Sequence, residues 1–371
     1  MSDEKSRRED DKHPLKKFFK KPVLIVVFIL INVAVIALTA FSEFGNSSNA
    51  AKLSDVKING WFLIPAVICF LVAITAEIYK YVMMMREMGG KKEKFNYKKS
   101  WKVARRTVLL GKYYDSITPA AIGGQPFQIY FMRKNSGLKA GVSTSIPILG
   151  MMAGQLGFII IAMFCFLFGS ASIDNAVLIG TACFGLIFYA FWPVTVLIAT
   201  FLPKATAELI GVVVKLLAKM HIVKNQKATI AKVEFEVNEY ARCVRRVLKT
   251  KGLFAKALAL SVAFNSLIAT IPFFVLTAFG GNVDFLPCFV TTVAVTSAVY
   301  FVPTPGNAGA AEGAFFLVFS SLSNGYVFWA MLTWRFFSYY IYILMGPIIY
   351  YSMHLEKKRE NNGKKKELKK D

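Results

Sequence analysis

The sequence has few residues of the types that bind metal ions or carry redox chemistry. It contains five cysteines and three histidines in 371 residues. No two cysteines form a Cys-x-x-Cys pair, and none has a histidine nearby. We therefore predict no zinc, iron–sulfur or thiol-redox site and no bound cofactor, and we interpret the cysteines as packing residues. The cysteines are Cys69, Cys165, Cys183, Cys243 and Cys288.

Charged residues are also scarce, and acidic ones most of all. They make up 18% of the chain, whereas apolar residues make up 55%, and there are 22 Asp and Glu compared with 45 Lys and Arg. Soluble globular proteins carry roughly a quarter charged residues. The apolar residues fall in blocks of about twenty, with the charges between them. This pattern excludes a disulfide-stapled secreted domain, a disordered chain and a free-standing nucleic-acid binder, and it predicts an integral membrane protein.

The apolar blocks are long enough to cross a bilayer, which takes about 20 helical residues. The first block is longer than the core of a secretory signal peptide, so we interpret it as an uncleaved anchor. The predicted fold is all-α and polytopic, with six to eight transmembrane helices, two of them broken or re-entrant, and a possible inverted repeat. Two shorter runs, 285–302 and 308–322, are either one re-entrant pair or two short spans. The longer blocks are 23–41, 61–85, 145–168, 176–201, 253–279 and 326–351.

The basic residues predict the orientation, because positively charged loops stay in the cytoplasm. Of the 45 Lys and Arg, 37 lie in four segments that alternate correctly with the predicted spans. Both termini are then cytoplasmic: a basic N-terminus at 1–22, a membrane domain at 23–351 and a basic tail at 352–371. The net charge of +23 thus reports topology and does not require a nucleic-acid partner. The four segments are 1–22, 86–112, 201–252 and 353–371.

Residues 203–250 have apolar side chains at helical spacing with charged residues opposite. This pattern predicts two amphipathic helices on the cytoplasmic face. They either lie in the membrane interface or form a hairpin that packs on the other cytoplasmic loops.

Two segments, 117–128 and 302–313, share Thr-Pro followed after three residues by Gly. Proline and glycine at membrane depth interrupt a helix, and the freed backbone groups are tolerated only where protein or a polar cavity satisfies them. Paired interruptions in two halves of a chain are typical of transporters with inverted repeats. The alternative is a pair of tight turns between ordinary helices. If the helices are broken, the positive end of each restarted helix could bind an anion such as a lipid phosphate.

Arg335 lies about ten residues into the last predicted span, where a lone charge costs at least roughly 2.5–3.5 kcal/mol. We expect it to pair with Glu312 or to bind a headgroup phosphate in a bidentate manner. Glu77 and Lys80 are predicted to form a structural pair one helical turn apart. No catalytic residue and no metal ligand are predicted. The candidate lipid-binding residues are Thr118, Gly123, Gly124, Gln125, Gln128, Arg133, Thr304, Asn307, Gly309, Glu312 and Arg335.

The segments 118–128 and 303–312 resemble the two signature segments of the lysylphosphatidylglycerol synthase transmembrane-region family. That family includes the flippase half of the bacterial multiple peptide resistance factor. Where many members have Gly-Glu in the first segment, this sequence has Gly124-Gln125. The resemblance extends from the first span to Tyr351. It implies a flippase-like protein of the bacterial inner membrane that acts on phosphatidylglycerol, lysylphosphatidylglycerol or a lipid-linked sugar and contributes to resistance to cationic antimicrobial peptides.

Two other hypotheses stay open from the sequence. One is a lipid-modifying enzyme, such as a phosphatidylglycerol lysyltransferase that uses lysyl-tRNA. Relatives with that activity carry a soluble acyltransferase-like domain after the membrane region, and we expect no transferase activity from this chain alone. The other is a membrane scaffold for a partner enzyme. There is no P-loop, so ATP is not expected as the direct energy source. Expected partners are the bilayer, an anionic or aminoacylated phospholipid, and a second copy of the chain or a separate synthase.

Overall fold

The structure is a computed structural model, and it describes residues 58–89, 96–119, 121, 123–169, 173, 175–219, 225–249, 252–320 and 326–367. Within these ranges the chain is all-α and contains no sheet. The predicted first span, 23–41, lies outside the described residues. The helices are α1 Leu63–Met88, α2 Tyr97–Ile117, α3 Gly124–Asn135, α4 Ala140–Gly169, α5 Ala176–Phe201, α6 Pro203–Lys219, α7 Gln226–Lys249, α8 Leu253–Ala278, α9 Phe285–Val299, α10 Ala310–Phe319, α11 Val327–Arg335 and α12 Ile341–Glu367.

Four described helical segments are long and apolar enough to cross a membrane. They confirm four of the predicted spans, because each rises by at least about 39 Å at 1.5 Å per residue. The last predicted span also follows a helical path: α11 continues through a single π-helical turn, Phe336–Tyr340, into α12. The four segments are Gly60–Met88, Ala140–Gly169, Ala176–Phe201 and Leu253–Ala278.

The two short apolar runs form α9 and α10, of 15 and 10 residues. At 1.5 Å per residue they rise by about 22 and 15 Å, and neither crosses a core of roughly 30 Å. They are separated by non-helical residues that include Pro303, Pro305 and Gly306. The structure therefore shows two short apolar helices on either side of a break, and the re-entrant arrangement stays a prediction.

The first motif also separates two helices. The 21-residue α2 ends at Ile117, and the 12-residue α3 begins at Gly124. Contacts along α12 fix the direction of α2. Arg106 bonds Glu356 at 2.8 Å, and Tyr114, eight residues further along α2, contacts Tyr350 through the two hydroxyls. The two helices therefore run antiparallel, and α2 carries the first break away from the basic end of α12.

A buried lysine joins three of the long helices. The Lys80 ammonium on α1 donates to the carbonyl oxygen of Gly150 on α4 at 3.1 Å and to the hydroxyl of Ser261 on α8 at 2.9 Å. It also pairs with Glu77 at 2.7 Å, which confirms the predicted pair. All three ammonium donors thus have acceptors, and this is what a fully buried lysine requires.

Within 203–250 the described residues form α6 and α7, as the amphipathic pattern predicts. α7 packs on protein: Val244 is fully buried, and Arg245 donates to the carbonyl oxygen of Thr200 at the end of α5. α6 instead exposes a row of apolar side chains. This row consists of Leu209, Val212, Val213 and Leu216, each more than half exposed.

We expect replacement of Lys80 by methionine to destabilise the protein by about 3 kcal/mol, because it leaves the Glu77 carboxylate without its partner in the interior. The double variant Glu77→Gln/Lys80→Met should recover part of that loss, since no charge is then left unpaired. Thermal unfolding in detergent micelles measures both. The exposed Lys98 is the control, and its replacement by methionine should change stability by less than about 0.5 kcal/mol. Equal loss in the single and double variants would contradict the ion-pair account.

We expect the contact between α12 and α2 at Glu356 to depend on pH. Hydrogen bonds from Lys102, and then from Arg106, hold the pKa of Glu356 below its usual value. A depressed carboxylate pKa contributes stability above its unfolded value, and that contribution is lost as pH falls through the folded value. Because the side chain is 39% exposed, we expect Glu356→Gln to cost less than about 1 kcal/mol at neutral pH. The difference in melting temperature between the variant and the parent should shrink as pH falls through the folded pKa of Glu356.

Candidate functional site

The two broken helices meet at their tips. Pro119, after α2, and Pro305, after α9, form an antiparallel backbone bridge. The two Thr-Pro motifs, 186 residues apart in sequence, therefore face each other in the fold. This contact defines the candidate site, since it brings the irregular backbone of both breaks to one place.

The second break is held by a buried ion pair. Arg335 Nε lies 2.7 Å from Glu312 Oε1, and both side chains are at least 95% buried. The other carboxylate oxygen, Oε2, accepts from the backbone N–H of Gly309 at 2.7 Å, and Arg335 Nη2 donates to the carbonyl oxygen of Gly306 at 3.2 Å. Of the two partners expected for Arg335, Glu312 is the one that it pairs with in the structure. The pair fixes both ends of the turn that precedes α10.

The backbone of this turn has left-handed φ angles at Gly306 (+58°), Asn307 (+57°) and Gly309 (+87°). The side chain of Tyr339, in the π-helical turn, packs against Gly306 so closely that a Cβ atom there would overlap its ring. The Arg335 guanidinium lies over the same ring, 4.6 Å from its centroid. The π-helical turn therefore positions the aromatic ring and the cation against the break.

Thr304 and Asn307 use their side chains within the turn. Thr304 Oγ1 donates to the carbonyl oxygen of Ala308 at 2.9 Å, and the Asn307 amide donates to the carbonyl oxygen of Val299. The Val299 carbonyl oxygen also accepts from the N–H of Val302. Both side chains thus add hydrogen bonds to backbone carbonyl groups at the interruption of the helix.

The first break uses a similar device. Thr118 Oγ1 accepts from the N–H of Gly123 at 2.9 Å, and Asp115 Oδ1 accepts from the N–H of Gly124 at 2.9 Å. Ala121, between them, has a φ of +51°. A carboxylate therefore lies at the start of α3, as Glu312 does at the start of α10.

These contacts bear on the expectation that the start of each restarted helix binds an anion. Three N–H groups there, those of Gly123, Gly124 and Gly309, already donate to side chains of the protein. The physical reason is that a buried N–H must find an acceptor, and nearby threonine and acidic side chains supply one. A phosphate could reach these N–H groups only by displacing a side chain.

The glutamines of the first break have unused hydrogen-bonding capacity. Gln128 is buried, and its Oε1 accepts from the Tyr81 hydroxyl at 3.1 Å and from Gln125 Nε2 at 3.3 Å. The Oε1 of Gln125 is itself buried and has no hydrogen-bond partner among the described residues. Gln125 is thus the predicted site residue at the first break with a free polar atom.

Arg133 is the one predicted site residue that the structure does not bring to a break. It is exposed near the end of α3, nine residues after Gly124, or about 14 Å at the rise of an α-helix. Its position agrees with a cation that reaches the water interface.

Sequence reasoning misses three polar residues that lie close to the breaks. Asp115, Gln155 and Tyr300 are not among the site residues that the sequence predicts. Gln155 Nε2 donates to the Tyr300 hydroxyl at 3.1 Å, while Gln155 Oε1 is buried without a partner among the described residues. The ring of Tyr300 packs against that of Tyr189 in a tilted arrangement, with ring centroids 3.8 Å apart. A glutamine inside the apolar run of α4 is the pattern that could have revealed this patch.

The sequence matches the lysylphosphatidylglycerol synthase TM region over residues 23–346. The chain belongs to this family. The match to the lysylphosphatidylglycerol synthase TM region includes both breaks and Arg335, so the geometry of the site lies wholly inside the family's region. No curated protein and no solved structure gives a match.

A substitution at Gly306 tests whether the second break depends on close packing against Tyr339. Gly306→Ala should lower the free energy of unfolding by about 3 kcal/mol, because the added methyl overlaps the Tyr339 ring and the φ angle is left-handed. A Cβ atom added at Gly313, in α10, would meet no neighbouring heavy atom within 4 Å. Gly313→Ala is therefore the matched control and should be stabilising by up to about 1 kcal/mol. Thermal unfolding of both variants checks this, and similar melting temperatures would contradict the packing account.

Proposed function

We propose that the protein is a flippase-like transporter that moves an anionic phospholipid headgroup between the leaflets of the bacterial inner membrane. The observation that carries the proposal is the meeting of two broken helices at Pro119 and Pro305. Irregular backbone at membrane depth is costly and is found where it lines a pathway for a polar group. Family membership supports a role with phosphatidylglycerol or lysylphosphatidylglycerol, and through it resistance to cationic antimicrobial peptides.

Under this proposal the polar residues near the breaks have two roles: some hold the backbone in shape, and others contact the headgroup. Before a headgroup arrives, Arg335 and Glu312 keep the second break in shape, because each is engaged by the other and by the backbone of the turn. The amides of Gln125 and Gln155 contact the headgroup, because each has a buried oxygen without a partner among the described residues. Such oxygens accept hydrogen bonds from the hydroxyl or ammonium groups of a headgroup.

The carboxylates at the starts of α3 and α10 could be displaced by the phosphate of a headgroup during transport. Asp115 and Glu312 occupy the positively polarised ends of α3 and α10. A headgroup phosphate competes for the same N–H groups, and it would release the carboxylate that it displaces. Transport then exchanges one anion for another at each break, so no N–H is left unpaired at membrane depth.

A second candidate function rests on α6. Its row of exposed apolar side chains, Leu209, Val212, Val213 and Leu216, fits either burial in the membrane interface or the docking of a partner such as a separate synthase. A scaffold of this kind would bind its partner whether or not lipid is exchanged.

Lipid exchange in proteoliposomes tests the transporter. Fluorescent phosphatidylglycerol is reconstituted with the purified protein, and the rate at which label in the inner leaflet becomes accessible to an external quencher is measured. We expect Gln125→Met to slow exchange roughly five- to tenfold, the equivalent of one lost hydrogen bond, with no loss of thermal stability. Arg335→Gln should abolish exchange and also lower the melting temperature, because it leaves Glu312 unpaired.

The exposed Arg359, in α12, provides the control for charge. Arg359→Gln should exchange lipid at the parent rate. If Gln125→Met also exchanges at the parent rate, its amide does not contact the headgroup. If the parent protein exchanges no lipid above protein-free vesicles, the transporter proposal is wrong.

A further inference from the structure

A groove lies outside the two breaks, between the end of α1 and the start of α8. The two helices run antiparallel, because the N–H of Asn59, before α1, donates to the carbonyl oxygen of Ala278 at the end of α8. The groove has a volume of about 560 Å³ and is lined by residues of α1, α8 and the first residue of α2. The lining residues are Tyr79, Val82, Met83, Arg86, Glu87, Tyr97, Lys256, Ala259 and Leu260.

Two exposed cations from different helices line this groove. Arg86 lies in the last turn of α1 and Lys256 in the first turn of α8, and neither has an ion-pair partner among the described residues. Glu87 also lines the groove, so the three side chains leave a net charge of +1. The groove thus favours a monoanion.

A second, apolar groove continues from the first along α1. It has a volume of about 400 Å³ and is lined by Leu71, Val72, Thr75, Ala76 and Tyr79. Tyr79 lines both grooves. From Arg86 to Leu71 the helix rises about 22 Å, so a charged end and a long apolar trough lie in line along one span.

Aromatic residues mark the level of the charged end. Tyr79 and Tyr97 are each about half exposed, and Tyr97 stacks on Trp101 with ring centroids 6.0 Å apart. Tyrosine and tryptophan collect where the hydrocarbon core meets the headgroups. The cations therefore lie at headgroup depth, and the apolar trough extends into the hydrocarbon.

We propose that this double groove binds one anionic phospholipid of the leaflet at the basic, predicted cytoplasmic, side. Its phosphate lies between Arg86 and Lys256, and one acyl chain lies along α1 from Tyr79 to Leu71. A monoanion site, flanking aromatic residues and an apolar trough lie together on a membrane-spanning helix. This combination fits a lipid better than a soluble phosphate, because a soluble phosphate has no apolar chain to bury in the trough. This proposal is independent of transport and holds whether or not the protein moves lipid.

Photo-crosslinking and binding together test the proposal. The full chain, in nanodiscs of phosphatidylethanolamine, is titrated with phosphatidylglycerol that carries a diazirine near its phosphate, and the crosslinked peptides are mapped. We expect crosslinks in α1 near Arg86 and in α8 near Lys256. The double variant Arg86→Gln/Lys256→Gln should weaken binding there by roughly thirtyfold, since each basic residue contributes comparably to the attraction of an anionic lipid.

A matched control removes the same two charges elsewhere. Arg105 and Lys204 are exposed and lie outside both grooves, and Arg105→Gln/Lys204→Gln should leave the crosslinks unchanged. The charge-preserving variant Arg86→Lys/Lys256→Arg should keep binding within about threefold. The proposal is overturned if the groove variant and the control crosslink equally, as they would if protein filled the groove. It is also overturned if phosphatidylethanolamine with the same diazirine binds as tightly as phosphatidylglycerol.

Discussion

The requirement that every backbone N–H and C=O at membrane depth has a partner shapes this protein. In the long helices the backbone groups pair with one another. At the breaks they cannot, and side chains bond the backbone instead. These side chains are Asp115 and Thr118 at one break and Glu312, Thr304 and Asn307 at the other. Each acidic residue then needs its own compensation, and Arg335 provides it for Glu312. Much of the polar chemistry in the membrane domain follows from two short interruptions of helix.

The general architecture was predictable because burial in lipid leaves a simple pattern. Apolar runs of about 20 residues define spans, and α1, α4, α5 and α8 lie where those runs lie. The pairing of Arg335 with Glu312 was also foreseen as one of two alternatives, since a buried cation needs an anion and few are available. What spacing could not show was the contact of Pro119 with Pro305, because it depends on how two distant hairpins pack.

The contacts at the starts of α3 and α10 are not predictable from the sequence. Sequence reasoning favours an anionic ligand there, because a helix start binds anions. In the structure the carboxylates of Asp115 and Glu312, which have the same chemistry, accept from N–H groups at these positions. Lys80 shows the opposite case: a residue expected to make one local ion pair also joins three helices through Gly150 and Ser261. In both cases the missing information was which group, among several of suitable chemistry, lies nearest in the folded chain.

The bridge at the tips has a property that follows from proline itself. Proline has no N–H, so the backbone hydrogen bonds of the bridge between Pro119 and Pro305 must be donated by residues that flank the two prolines. Separation of the tips would break those bonds and leave their N–H and C=O groups without partners, at the desolvation cost that an unpaired amide carries in hydrocarbon. The bridge is therefore a contact that opens only where water or a polar group can replace those partners.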